Sequence, residues 1–354
     1  MTVAPTDLSG GTEVLRVEGI AKHFGATRAV DGVTFGLREG ETLGLVGESG
    51  SGKTTTARLV LRLLEPTSGR VIVLDRDVTQ YSRRQMRSVR RSLQVVFQDP
   101  HKSLNPRMVI RDLVGEPLRI HAKLSRASYR AKVDELLTQV GLSSAYGARY
   151  AHELSGGQRQ RAGIARALAL EPRILILDEP VSALDVSIRA QVINLLMDLQ
   201  EQRKLAYLFI SHDLSVVRHI AHRVAVMYLG QIVEIGPTAE LFNQPSHPYT
   251  RALLSAIPAG NPGATSDSRR IVLQGDPPNP ADMPRGCRFH PRCFMAAERC
   301  SLEEPELLPR TRADQFSACH FAGEASSVPD TAAVASVDAY RADQADNPSR
   351  KGGQ

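Results

Sequence analysis

No apolar run in the 354 residues approaches the ~20 that a bilayer-spanning helix needs. Met1 to Gly11 carries no basic stretch followed by an apolar one, so no signal peptide is expected. The chain reads as cytosolic, and any membrane role has to come through a partner. Cysteine is absent before residue 287, and the four present, Cys287, Cys293, Cys300 and Cys319, crowd into one C-terminal stretch. That distribution excludes a disulfide framework for the bulk of the chain and, in a reducing compartment, directs the clustered thiols to metal. Heptad repeats are lacking too. The basic run Arg83, Arg84, Arg87, Arg90 and Arg91 has no interleaved aromatics, so it reads as a solvated helix face rather than a nucleic-acid surface. A net charge of +6 and a pI near 9.3 are mild for 38.6 kDa and point the same way.

What is present is organised around Gly47-Glu48-Ser49-Gly50-Ser51-Gly52-Lys53-Thr54-Thr55. It follows the apolar run Thr42–Val46 and precedes a helical pattern, Thr56–Leu64. A strand that breaks into a glycine-rich turn and then a helix is the context in which this spacing makes a P-loop. Gly47, Gly50 and Gly52 let successive backbone N–H groups curl round phosphate, while Ser49 and Ser51 stand in the same turn. The following helix adds its positive dipole end. Lys53 is expected to reach the β/γ-phosphates, Thr54 to ligate Mg²⁺ and Thr55 to add a hydroxyl contact. ATP or GTP is the expected ligand.

Further along, apolar runs meet chemistry at their C-terminal ends. Ile174–Leu177 runs into Asp178-Glu179-Pro180, as a parallel strand buried on both faces would, placing two carboxylates at the ligand-binding edge of an α/β sheet. Asp178 is expected to hold Mg²⁺ and Glu179 to polarise the attacking water. Ala206–Ile210 ends in Ser211-His212-Asp213 and brings a histidine to that edge. Leu154-Ser155-Gly156-Gly157-Gln158 opens a helix and is a second anion-binding helix terminus. Phe24 precedes the P-loop by some twenty residues; it is a base-stacking candidate, although a lone aromatic is more often core.

Taken in this order and spacing, the P-loop, Gln98, Leu154–Gln158, the Ile174–Glu179 strand, Ser182-Ala183-Leu184-Asp185 and His212 resemble the ATP-binding-cassette (ABC) ATPases. The resemblance implies an α/β fold: a P-loop NTPase (RecA-like) core, an antiparallel β subdomain and a helical signature subdomain. It also implies a head-to-tail dimer in which Leu154, Ser155, Gly156, Gly157 and Gln158 face the ATP of the partner subunit. Glu179 then is the general base and His212 the γ-phosphate switch. Gln98 senses Mg²⁺ and γ-phosphate, Asp185 couples the two sites, and Phe24 stacks on the base. A narrower likeness, through Ser103–Arg107, Pro245–Thr250 and Leu253–Pro258, is to the ATPase subunits of oligopeptide/dipeptide importers, a group that includes nickel and sugar-conjugate transporters. Those subunits serve two permeases and an extracytoplasmic binding protein from the cytoplasmic face of the membrane, usually as paired ATPases. No nucleic acid is expected; DNA- or ribosome-acting relatives generally carry paired cassettes, coiled coils or inserted zinc modules. A non-hydrolysing subunit is argued against by Glu179 and His212, and an exporter by the lack of a fused membrane domain.

The expected organisation is a flexible leader over 1–12, the cassette over 13–258 with its helical subdomain at about 101–163, a small loop-rich cysteine module over 259–323 and a disordered tail over 324–354. The gaps between the four cysteines match neither zinc-finger CxxC pairs nor ferredoxin runs. Spacing leaves zinc, a cluster and unliganded thiols open, with His290 and His320 as lesser candidates. The importer resemblance favours a [4Fe–4S] cluster on Cys287, Cys293, Cys300 and Cys319, with zinc less favoured.

Overall fold

The structure is a computed structural model and describes residues 11–98, 104–257, 271–310 and 314–322. Most of the leader, the tail, the segment after Gln98 and the start of the cysteine module lie outside the described residues.

The chain begins with β1 (Glu13–Phe24), β2 (Thr27–Arg38), β3 (Thr42–Val46), β4 (Ser68–Val73) and β5 (Arg76–Asp77). β6 (Leu93–Val96), β7 (Ile174–Asp178), β8 (Ala206–Ile210) and β9 (Arg223–Tyr228) follow. β10 (Gln231–Pro237), β11 (Leu308–Pro309) and β12 (Phe316–Ser317) complete the set. Strands β2-β1-β4-β5 form an antiparallel sheet, and β11-β12-β10-β9-β3-β8-β7-β6 form the larger one. The expected early antiparallel strands are present but longer, because β1 absorbs several register shifts along its pairing with β2. The α/β reading holds, as does the mixture of a P-loop core, an antiparallel sheet and a helical region.

The apolar runs read as doubly buried strands are that. In β7, Leu175 and Leu177 join the core shared with the helices, whereas Ile174 and Ile176 join the core beneath the antiparallel sheet. β8 divides likewise, Tyr207 and Phe209 to one side and Leu208 and Ile210 to the other. With period-2 alternation, an all-apolar strand is what two covered faces demand.

Register then aligns the functional ends. β3, β7 and β8 are parallel, with Asp178 opposite Ile210 and Leu45 opposite Ile210. The backbone N–H of Glu179 donates to the Ile210 carbonyl (3.0 Å). The P-loop, the Asp178-Glu179 pair and His212 therefore leave the sheet at one edge. The helix behind the P-loop spans Lys53–Val60, shorter than the periodicity suggested, since Arg62 turns into the left-handed region (φ 53°) before Pro66.

The helical region holds helices Ile110–His121, Arg126–Gln139 and Gly156–Leu168. The cysteine stretch is loop-rich, yet β12 pairs antiparallel with β10, so it extends the main sheet. That edge carries Glu234, fully buried and accepting the backbone N–H groups of Ser246 (2.7 Å) and His247 (3.0 Å) and an amide N–H of Gln315 (2.8 Å). Burial raises its pKa against these bonds, which is why the carboxyl needs several donors.

Gly44 in β3 matters to the site, because a Cβ there would stand 2.7 Å from Val217 of the helix packed on the strand that feeds the P-loop. Gly44→Val is expected to lower the unfolding free energy in urea by ~1–3 kcal/mol through overpacking.

Candidate active site

The phosphate loop is closed by backbone crowding. Gly47 (φ 149°) lies so close to β9 that a Cβ would come within 2.2 Å of the Met227 carbonyl, and Gly52 (φ 106°) would meet Ala29 O at 2.5 Å. Neither position tolerates a side chain, which is the physical content of the glycine spacing. Gly52 caps the N-terminus of the helix that starts at Lys53, leaving the helix dipole aimed into the loop. Ser49 and Gly50 are exposed at its rim, while Ser51 is buried.

Lys53 is buried, and its ammonium donates to the carbonyls of Gly47 and Glu48 (both 2.8 Å) and to Ser51 Oγ (3.4 Å). Burial lowers its pKa, against the upward pull of Glu179, Asp178 and Glu48. Thr54 Oγ1 donates to Asp178 Oδ1 (3.3 Å), which brings the two expected Mg²⁺ ligands face to face. Burial raises the Asp178 pKa, with the Thr54 hydrogen bond opposing it. A hydroxyl and a carboxylate suit Mg²⁺, which takes few protein oxygens and completes its shell with phosphates and water. Thr55 is half-buried beside them.

A second cluster forms around Glu179. Gln98 Nε2 donates to Glu179 Oε2 (2.7 Å), and His212 Nδ1 lies 3.2 Å from Oε1. Glu179 itself sits at φ 49°, a left-handed conformation uncommon outside glycine and frequent at functional turns. The structure thus gathers Thr54 with Asp178, near the Lys53 ammonium, and Gln98 and His212 around Glu179.

The remaining expected residues stand apart. Phe24 ends β1 and is 50% exposed, so it is not core, and Lys22 Nζ lies 5.2 Å from its ring centroid. Ser155 caps helix Gly156–Leu168 through a reciprocal box with Gln158: its hydroxyl accepts the Gln158 N–H (3.3 Å) and its own N–H donates to Gln158 Oε1 (3.0 Å). Leu154 anchors the turn in the core, and Gly157 admits Ile188, which a Cβ would meet at 2.4 Å. Asp185 is exposed and caps helix Val186–Arg203 by accepting the N–H of Ile188 (3.0 Å), which lowers its pKa. Arg189 of that helix donates to Asp213 (2.7 Å), tying the Asp185 turn to the residue after His212. Nothing in the sequence marks this pair, nor the meeting of Glu48, Tyr249 and Arg292 at the P-loop, because a charged residue carries no local sign of a partner 24 to 244 residues away.

The four cysteines are free thiols that line one pocket with Phe289, Met295 and Phe321. Burial pushes Cys287 up to about 11 and Cys293 to about 12, and raises Cys319, each helped by neighbouring thiols. The donor type suits a cluster. The room does not: the enclosed space is about 10 Å³, a single water's worth. Among the described residues no group of three or more His, Cys, Asp or Glu is arranged to hold a metal ion. The four thiols expected to hold a [4Fe–4S] cluster thus border one pocket but are not arranged as a metal site.

Comparison with known proteins agrees with this geometry. Residues 30–182 match the ABC transporter family, and residues 233–300 match the oligopeptide/dipeptide transporter C-terminal region. The chain is 52% identical over 319 residues to the oligopeptide transport ATP-binding protein AppF of Bacillus subtilis, covering 87% of this chain and 97% of that one. The chain belongs to the ABC transporter ATP-binding protein family. It is also 52% identical to the di/tripeptide transport ATP-binding protein DppF of Pseudomonas aeruginosa, over 89% of this chain and 96% of that one. Among solved structures, cbiO1 of Clostridium perfringens, part of the ABC transporter complex cbiONQ, aligns with TM-score 0.61 at 29% identity, covering 66% of this chain and 92% of that one. The dimeric ATP-binding cassette MJ0796, in a post-hydrolysis state with ADP and Pi, aligns with TM-score 0.58 at 28% identity, covering 63% and 98%. The chain is an ATPase of this family, using ATP and Mg²⁺ as ABC ATPases do.

Replacing Glu179 by Gln is expected to leave ATP binding intact and to cut turnover by roughly 10²–10³-fold. Nucleotide titration beside a phosphate-release assay checks this; near-normal hydrolysis would remove Glu179 from its role.

Proposed function

We propose that the chain powers import of oligopeptides or dipeptides through a two-permease channel, working at the cytoplasmic face of the membrane as one of two paired cassettes. The observation that carries this reading is the match of residues 233–300 to the oligopeptide/dipeptide region, which takes in most of β10 of the cassette's own sheet and three of the four cysteines. Relatives named for oligopeptide and di/tripeptide transport over nearly their whole length support it.

In this reading ATP enters between the P-loop and the signature turn of a second subunit. Ser155 and Asp185 are exposed, and Val186 beside them is 80% exposed, as an apolar residue awaiting a partner would be. A similar cassette is dimeric. The Gly47–Gly52 backbone and Lys53 take the phosphates, Phe24 offers an uncovered ring to the base, and the partner's signature helix N-terminus closes the far side and expels water. Thr54, Asp178 and Gln98 would hold Mg²⁺, which when bound would supply neutralisation of the phosphate charge. Glu179, oriented by His212 and Gln98, takes the proton of the attacking water.

Gln98 also leads toward the permease. Next to it a groove of about 280 Å³ is lined by Leu63, Phe97 and Ile120, which are 51%, 37% and 52% exposed. A groove with exposed apolar side chains among charged ones, one residue from Gln98, suits a short permease helix, so that the contact of Gln98 with Glu179 would join γ-phosphate state to the membrane partner. No described helix is long and apolar enough to cross a membrane, which accords with peripheral attachment through the permease. An extracytoplasmic binding protein delivering the peptide completes the assembly.

The test is reconstitution of the full chain with its permeases, partner ATPase and binding protein in liposomes, measuring uptake of labelled di- and tetrapeptides. Uptake that needs ATP and is lost with Glu179→Gln supports the proposal. Uptake of nickel or a sugar conjugate instead of peptide replaces the cargo but keeps the machine. The finer assignment of the thiols to a [4Fe–4S] cluster requires them to spread on loading; protein purified without oxygen should then be brown, with about four iron and four sulfide per chain lost on Cys293→Ser. Colourless protein with four titratable thiols would end that assignment.

A further inference from the structure

Two stretches far apart in sequence, the His247-Pro248-Tyr249 turn and the Cys287–Cys293 loop, converge on one residue of the P-loop, Glu48. The Glu48 backbone N–H donates to Tyr249 Oη (2.9 Å). Its side-chain carboxylate receives Arg292, Nη1 to Oε2 at 2.9 Å and Nη2 to Oε1 at 3.3 Å. Its carbonyl accepts from Lys53 (2.8 Å). Every polar group of Glu48 is thus occupied, and two of the three are held from outside the loop.

The supports are rigid. Tyr249 is fully buried, on a helix whose N-cap His247 accepts the Tyr249 N–H (3.1 Å). Phe289 packs against Tyr228 (5.3 Å between centroids) and Tyr249 (5.4 Å). Arg292 is only 8% exposed, and Nη1 also donates to Tyr228 Oη (3.4 Å). Burial opposes the charge on Arg292, but the bonds to Glu48 and Tyr228 outweigh it and raise its pKa. Arg288 of the same loop donates to Leu229 O (2.6 Å) and pairs with Asp31, so the loop is also fastened one turn ahead of Arg292.

A carboxylate placed in a loop that receives a polyphosphate opposes its own ligand unless it is neutralised. We propose that Arg292 is a positioning residue of the ATP site: it neutralises Glu48 and, with Tyr249, fixes the P-loop backbone in its phosphate-accepting shape, making the cysteine loop a working part of nucleotide binding. This rests on the P-loop being the ATP site. It touches no reacting atom, so its loss weakens ground state and transition state alike and appears in KM rather than kcat.

The experiment measures ATP Kd, KM, kcat and thermal midpoint for the full-length chain. Arg292→Gln is expected to raise Kd and KM about tenfold with kcat changed less than about threefold. Arg292→Lys, a point charge without the bidentate fork, should fall between. Adding Glu48→Gln to Arg292→Gln should bring Kd back to within about threefold of wild type, because the unpaired carboxylate is gone. Tyr249→Phe, which keeps the ring and drops the acceptor, should also raise KM, and with Arg292→Lys it carries the test should Arg292→Gln fail to fold. An unchanged Kd in these variants, or a double variant as weak as the single one, would overturn the proposal and leave Arg292 a fastener of the cysteine loop, visible only in the thermal midpoint. Wild-type protein that binds no ATP would instead remove the site itself.

Discussion

The structure is built around a positive charge taken out of water. Lys53 lies buried at the start of a helix, its ammonium satisfied by two P-loop carbonyls, with Asp178 and Glu179 close enough to favour its charge. A buried ammonium is tolerated only where oxygens surround it. The carbonyls point inward because Gly47 and Gly52 let the loop press against the backbone of β9 and of Ala29. The carbonyls that satisfy the Lys53 ammonium belong to the same glycine-bearing loop.

From that charge the rest is placed by the sheet. Three parallel strands in fixed register end level with one another, so groups as far apart in sequence as Thr54 and Asp178, 124 residues, meet without long side chains reaching across. Thr54 touches Asp178, and Gln98 and His212 flank Glu179. In the proposed chemistry the Mg²⁺ ligand and the base that activates water are sequence neighbours, Asp178 and Glu179. The backbone at Glu179 is left-handed (φ 49°), and its carboxylate meets Gln98 and His212 while that of Asp178 meets Thr54. Gln98 is exposed on one side of this centre, and on the other the Arg189–Asp213 pair ties the turn after β8 to the helix that follows Asp185.

The C-terminal region changes character in this light. Loop-rich and poor in regular structure, it nonetheless adds β11 and β12 to the main sheet and seats Phe289 among Tyr228, Tyr249 and His247. Its cysteines share one tight apolar pocket, while the two arginines between the first pair point to the hairpin at Asp31 and to the P-loop at Glu48. A segment that looks like an appendage is bonded to the catalytic cassette.

What the amino-acid sequence determined by itself is whatever depends on local backbone and near neighbours. The P-loop was legible because only glycine tolerates its turns, the buried strands because two covered faces leave no polar position, and the signature cap because Ser155 and Gln158 satisfy each other three residues apart. Asp178, Glu179 and His212 could be placed at one edge because each follows an apolar strand. Tertiary structure alone decided the pairings across long separations: Arg292 with Glu48, Arg288 with Asp31, Arg189 with Asp213. A charge in a sequence carries no mark of its partner, since which carboxylate it meets is set by how helices and loops pack. The same holds for Phe24, where only the folded surface shows that the ring is uncovered, and for the cysteines, whose spacing does not reveal that they enclose the room of one water.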